Sequence, residues 1–355
     1  MGSVSGQLIL VTHTDLDGEA AAAAYLRISS TSPDRALIFF AEPYSLHEVL
    51  RDVADIARPG DKVIIMDIGY NRDSTPEALR LVAALINSDV KVEWYDHHVW
   101  GEEEAASVTR AGARLFVDRG TCGAGVVIRY ASKLYGVQPD EYLARLESAV
   151  CSADLWTWRD PLAPKLMRVS GSSNGQAKNR WRLHMIEKLY SGVLWDDELQ
   201  GRLLSYLREE LSNSTSDLST ASVSRAGGCS VVTVLRKTEL PSDSIIGSAL
   251  VSRMSADVAV MVKRKGFAEV SLSLRSRGSA DVQVIAKALG GGGHPRAAGA
   301  SMRINPLIYL VGLVVPRALT WYVSTRVATL GGRLGACRQK LSDRESGGPT
   351  TYYSS

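Results

Sequence analysis

The sequence predicts an α/β protein of two domains: a largely parallel sheet with helices on both faces, then a smaller α/β domain. Three observations carry this. Short apolar runs alternate with helical periods through the first 135 residues or so. The pattern then turns helical and polar near Pro161, and apolar runs of strand length resume near Cys229. The halves also differ in charge. Residues 1–160 hold 24 acidic and 15 basic side chains, a net of −9, whereas residues 225–305 hold 5 and 12, a net of +7. The whole chain is near neutral, with a net charge of +3 over 355 residues. The split suits a carboxylate-rich site in one domain and an anionic substrate at the other.

In order, Gln7–Thr12 reads as a buried strand, followed by His13-Thr14-Asp15-Leu16-Asp17-Gly18 and an alanine-rich helix. Ala36–Ala41, Lys62–Asp67, Lys91–Tyr95 and Ala113–Val117 read as further strands. Thr75-Pro76-Glu77 opens one intervening helix and Thr121 another. Such alternation implies right-handed βαβ crossovers, which bring the C-terminal ends of the strands to one edge, where ligands bind. The boundaries that follow are 1–165 for the first domain, 166–225 for a helical connector and linker, 226–305 for the second domain, and 306–355 for an extension ending in disorder. Within the connector, 171–180 reads as a loop and the Ser/Thr-rich 212–224 as a linker or poorly packed helix. The apolar run 307–315 is too short to span a bilayer and reads as a buried element or an oligomer contact. No membrane association is expected.

Four cysteines, Cys122, Cys151, Cys229 and Cys337, stand far apart with no CxxC pair. That spacing argues against a zinc finger or a disulfide framework and for a reduced, cytoplasmic setting. The N-terminus shows no signal-peptide pattern.

The chemistry gathers at the strand ends. His13, Asp15 and Asp17 follow the first strand, Asp67 ends the third, Asp96, His97 and His98 follow the fourth, and Asp154 follows a later helix. So many like charges on one edge are costly without cations. An Asp-x-Asp before Gly is by itself an ordinary helix-capping turn, but two adjacent histidines after an acid have little structural use. Oxygen and imidazole donors together suit divalent Mn²⁺, with Mg²⁺ or Zn²⁺ as alternatives. Gly290–Gly293 and His294 follow a helix, so they form neither a dinucleotide fingerprint nor a Walker loop. Glycines there let backbone amides approach an anion, or simply make a tight turn. Trp156, Trp158 and Trp181 read as core residues, with base stacking as the alternative.

HTDLDG, MDIG, YDHH and SADLW resemble the four motifs of the DHH phosphoesterases, and GGGGHPRAAG, preceded by SLSLRS, resembles the signature of their DHHA1 domain. The resemblance spans roughly residues 7–303 and is nearest the nanoRNase and RecJ-like branch, although that branch's RecJ side usually opens its first motif with aspartate rather than histidine. It implies a DHH domain followed by DHHA1, with the active site in the cleft between them. It further implies two divalent ions. His13, Asp15 and Asp67 would hold one. Asp17, Asp67, His97 and Asp154 would hold the other, with Asp67 bridging. Asp96 would fix the histidine pair, and His98 would touch the scissile phosphate or assist the leaving group. Arg275, Ser276, Gly290, Gly291, Gly292, Gly293, His294 and Arg296 would bind substrate. The implied activity is two-metal hydrolysis of short single-stranded RNA or DNA to mononucleotides. Alternatives are a phosphatase of 3′-phosphoadenosine 5′-phosphate, a cyclic or linear dinucleotide phosphodiesterase, and a non-catalytic nucleic-acid-binding subunit of a replication or repair complex. A homodimer and a replication or repair partner stay open.

Overall fold

The computed structural model describes residues 6–172, 177–337 and 352–353. The chain packs as two compact units, one running to Leu203 and the other from Leu204.

The first unit runs β1 (Leu8–Thr12), α1 (Leu16–Ile28), β2 (Ala36–Phe40), α2 (Leu46–Ile56), β3 (Lys62–Met66), α3 (Thr75–Asn87), β4 (Lys91–Asp96), α4 (Glu102–Arg110), β5 (Arg114–Val117), α5 (Gly123–Tyr135), α6 (Glu141–Asp154), α7 (Ala163–Ser170), α8 (Ala177–Tyr190) and the start of α9 (Asp197–Leu218). Strands β1 to β5 pair in parallel in the order β2-β1-β3-β4-β5. Alternate residues of β1 feed opposite cores. Leu8 and Leu10 pack with α1, α5 and α6, whereas Ile9 and Val11 pack with α2 and α3. That is the pattern of a sheet covered on both faces. Ala20–Ala24 of α1 are fully buried, and side chains this small let α5 and α8 approach α1 closely. The order reverses between β1 and β3, where doubly wound sheets open a crevice at the strand ends.

The second unit continues with the rest of α9, then β6 (Ser222–Ala226), β7 (Cys229–Leu235), α10 (Asp243–Met254), β8 (Val258–Gly266), β9 (Glu269–Ser276), α11 (Val282–Ala288), β10 (Gly292–His294), β11 (Ala297–Arg303), α12 (Pro306–Val314) and α13 (Pro316–Arg333). Its sheet runs β10-β11-β9-β8-β7-β6, antiparallel except for β7 against β8. Val232, Val234, Ala259 and Met261 meet α10 on one face, and Val231, Val258 and Val260 meet α13 on the other. Ser324 on α13 donates to the Val231 carbonyl at 3.0 Å.

Several expectations need correction. Of the two readings of 212–224, the helix holds over 212–218, which complete α9; of these only Asp217 is buried, beside Arg236 Nε at 3.2 Å. The loop read over 171–180 gives way to α8 at Ala177, and 173–176 lie outside the described residues. Within the extension, α13 packs on β6 and β7 of the second unit. Within α12 only Tyr309 and Gly312 are buried. Leu307, Leu310, Val311 and Val314 form an exposed apolar stripe, so the reading of 307–315 as a buried element fails. Most of the tail read as disordered lies outside the described residues, although Tyr352–Tyr353 (β12) pairs antiparallel to β5. The cysteines are not free thiols. Cys122 bonds Cys151, and Cys229 bonds Cys337, across separations of 29 and 108 residues that local spacing does not reveal. Among the described residues no helix is long and apolar enough to cross a membrane.

Candidate metal centre

The strand ends at the β1/β3 crevice bring the first-domain residues together. His13 leaves β1, and its amide donates to the Met66 carbonyl at 3.2 Å. Asp15 caps α1, accepting from Gly18 N at 3.1 Å. Asp17, on the first turn of α1, accepts from the amides of Gly123 and Ala124 at 2.6 and 2.9 Å, at the N-terminus of α5. A helix N-terminus is where a buried carboxylate is best stabilised. Asp67, just past β3, has φ +56°, a left-handed turn costing about 1 kcal/mol in a non-glycine residue. Its amide is held by the Tyr95 carbonyl at 2.8 Å. Glycines pack tightly around these groups. A Cβ on Gly69 would stand 2.9 Å from the His98 side chain, and one on Gly123 would stand 2.7 Å from Asp67 Cβ.

Three sets of donor atoms result, each with all its atoms within 4.8 Å of one another: His13–Asp15–Asp67, Asp17–His97–Asp154 and Asp67–His97–His98. His13 Nδ1 lies 3.0 Å from Asp15 Oδ2 and 3.5 Å from Asp67 Oδ2. His97 Nε2 lies 3.3 Å from Asp67 Oδ1, 3.6 Å from Asp154 Oδ2 and 3.8 Å from Asp17 Oδ2. The two oxygens of Asp67 therefore serve two different sets.

The electrostatics show what this crowding costs. Burial, with Asp67 and Asp154 close by, holds Asp17 well above the carboxylate range. Burial, with Asp67 and Asp15 nearby, pushes Asp154 up to about 6. Burial alone would lower His97, but Asp67, Asp17 and Asp154 raise it to about 11. His13 is raised against its burial by Asp15, Asp67 and Glu42. His13 Nδ1 and Asp154 Oδ2 are buried yet make no hydrogen bond. Buried polar atoms without hydrogen bonds, facing carboxylates and imidazoles, fit divalent cations.

Asp96 acts on one histidine rather than on the pair. It bonds His98 at both Nδ1 (2.8 Å) and the amide (3.2 Å), and accepts from Trp100 Nε1 at 2.6 Å. No bond joins it to His97; Asp67, Asp17 and Asp154 surround that ring instead.

Glu42 was not among the residues singled out from sequence. It lies 3.2 Å from His13 Nε2 and accepts from Thr14 Oγ1, so it orients the ring whose other nitrogen faces Asp15 and Asp67. The signal was present: Glu42 stands two residues past β2, at the same edge. Trp181 is core, donating to the Val169 carbonyl at 2.8 Å, but Trp158 is 37% exposed and stacks edgewise on Trp156 just past Asp154, so the core reading fails there.

The remaining predicted residues lie in the second unit. Arg275, on β9, donates to Ser244 Oγ at 3.2 and 3.3 Å, Ser273 Oγ at 3.1 Å and the Leu274 carbonyl at 2.9 Å. Ser276 donates to the Ala280 carbonyl at 2.7 Å. The glycine run ends in a β-hairpin, with Gly292–His294 paired to Ala297–Gly299. A Cβ on Gly291 would stand 2.1 Å from the Gly299 carbonyl oxygen, so backbone approach accounts for at least that glycine. His294 and Arg296 are exposed on this hairpin.

Residues 231–307 match the DHHA1 domain family. No curated protein matches. Among solved structures, an exopolyphosphatase-related protein from Bacteroides fragilis is 14% identical over 94% of this chain and 94% of its own, with a TM-score of 0.57. RecJ in complex with Mn²⁺ from Thermus thermophilus is 15% identical over 89% of this chain, with a TM-score of 0.55, and the match spans 52% of RecJ. The pGpG-specific phosphodiesterase PggH from Vibrio cholerae is 14% identical over 88% of this chain and 99% of its own, with a TM-score of 0.52. Residues 231–307 of the second unit thus match a DHHA1 domain, and the chain as a whole shares the two-domain α/β fold of these solved structures.

Proposed function

We propose that this chain is a divalent-metal-dependent phosphodiesterase that hydrolyses short single-stranded oligonucleotides. One observation carries the reading: Asp67 offers one oxygen toward His13 and the other toward His97, the arrangement of a carboxylate shared by two cations. His13, Asp15 and Asp67 would hold one ion, and Asp17, Asp67, His97 and Asp154 the other. Mn²⁺ is the natural candidate on donor chemistry and is the ion in the RecJ structure from Thermus thermophilus. Such ions supply a nucleophilic water near neutral pH and absorb charge developing on the phosphoryl oxygens.

The chain's own groups do the rest. Asp96 accepts from His98 Nδ1–H and, together with nearby Asp67, raises the ring's proton affinity against its burial. His98 then presents a protonated Nε2 to the leaving oxygen and gives up its proton as the P–O bond breaks. The net positive second domain supplies Arg296 and His294 as donors to the substrate's phosphates. An intact donor set disfavours a purely non-catalytic role.

A dinucleotide substrate is the second reading, because the match to PggH covers 99% of that phosphodiesterase. The test is Mn²⁺-supplemented digestion of end-labelled RNA and DNA, from dinucleotides to long strands, with pGpG and 3′-phosphoadenosine 5′-phosphate alongside. Preference for dinucleotides to pentamers supports the proposal. No turnover of any substrate by the Mn²⁺-loaded chain overturns it.

A further inference from the structure

The Cys122–Cys151 disulfide joins two helices of the second donor set. Its Cα atoms are 5.1 Å apart. Cys122 is the N-cap of α5, and the next two amides, of Gly123 and Ala124, are those that clamp Asp17. Cys151 lies on α6 three residues before Asp154, so the two share a helix face. The disulfide therefore connects the clamp on one donor of Asp17–His97–Asp154 to the helix that carries another. The same end of α5 abuts Asp67, since a Cβ added at Gly123 would stand 2.7 Å from Asp67 Cβ.

This connection has a force to oppose. Asp17 hangs from the amides at the start of α5 and Asp154 ends α6, so repulsion between these two carboxylates, when both are ionised, bears on the junction of the two helices. Noncovalent links across the same junction are weaker. Thr121 Oγ1 donates to Glu147 on α6 at 2.9 Å, and Ala124 and Val127 of α5 share a buried core with Leu146 and Val150 of α6. Cys122 is fully buried and Cys151 half-buried, so Cys151 is the more accessible end of the bond.

We propose that the Cys122–Cys151 disulfide is a redox-sensitive positioning element for the cation site formed by Asp17, His97 and Asp154, and that its reduction weakens that site more than the one formed by His13, Asp15 and Asp67. The proposal rests on the metal reading of the preceding subsection. In the reductive step a dithiol supplies two electrons and two protons. The S–S bond breaks, Cys122 and Cys151 become thiols, and the dithiol closes to its own disulfide. The Asp17 clamp and Asp154 then relax apart. The Cys229–Cys337 disulfide belongs to the second unit and serves as an internal control.

The test is calorimetric titration of the full chain with Mn²⁺, performed oxidised, after dithiol reduction, and on Cys151→Ser and Cys229→Ser variants. Thiol counts and circular dichroism are recorded on each sample. The oxidised chain should bind two ions. Reduction, or Cys151→Ser, should weaken one of them about tenfold or more, as loss of a group supporting metal ligands does, and weaken the other less. Cys229→Ser should retain both. Reductive weakening with preserved circular dichroism supports the proposal even if Cys151→Ser does not fold. Equal affinities in the oxidised and reduced chain overturn it, as does a native chain in which Cys122 and Cys151 titrate as free thiols. A chain that binds no Mn²⁺ while oxidised overturns the metal reading itself, and the proposal with it.

Discussion

Asp67 Oδ1 stands 3.3 Å from His97 Nε2, while the other oxygen of the same carboxylate faces His13. One side chain thus links two donor sets, and Asp67→Ala should disable both. The expected loss in kcat/KM is about 10³-fold or more, since metal ions supply several kcal/mol of transition-state stabilisation. Circular dichroism should be unchanged. Near-normal turnover by this variant would overturn the shared-carboxylate model.

Glu42→Gln should weaken Mn²⁺ binding by about 10- to 100-fold, the usual effect of removing a carboxylate that orients a ligating histidine. The variant keeps the size of the side chain but loses the charge beside His13 Nε2. Calorimetry on the variant decides, and unaltered affinity would leave Glu42 no positioning role.

The metal-free chain should lose stability as pH rises. Asp154, pushed up to about 6, contributes stability below the ordinary carboxylate range and loses it as pH passes about 6. His97, raised to about 11, contributes fully below the ordinary imidazole range and loses it on the way to about 11. Both act in the same direction, so Tm measured in chelator should fall from mildly acidic to alkaline pH. Binding Mn²⁺ displaces the His97 proton, so affinity should rise with pH and protons should be released. Titrations in buffers of different ionisation enthalpy count them, and zero release at neutral pH would contradict the assignment of His97 as a ligand.

Trp100→Phe removes the indole donor to Asp96, a fully buried carboxylate, while keeping an aromatic ring against Trp94 and Tyr70. The expected cost is about 1–3 kcal/mol of stability, visible as a lower Tm. Slower turnover should accompany it as Asp96 loosens its hold on His98.

Arg296→Ala, on the exposed hairpin of the second unit, should raise KM for short substrates about tenfold and leave kcat nearly unchanged, as loss of one charge-assisted phosphate contact would. An unchanged KM for every substrate removes the residue from recognition.

By itself the sequence determined the doubly wound sheet and the edge where donors gather. Buried parallel strands read as short apolar runs, and each run ends where a polar residue breaks it: Thr12 before His13, Met66 before Asp67, Tyr95 before Asp96. What it left open depended on contacts between distant segments. The clamp on Asp17 comes from amides more than a hundred residues away, and the Glu42 contact to His13 spans 29. Asp217 against Arg236 decided between linker and helix for 212–218, and the cysteines found partners that no spacing rule anticipates. The glycine run read as an anion-binding loop or a tight turn until β11 was seen against Gly291. Local pattern reports which residues leave water, because burial imposes a period on the chain. Which of them then meet is decided by how the elements pack, and only the tertiary structure contains that.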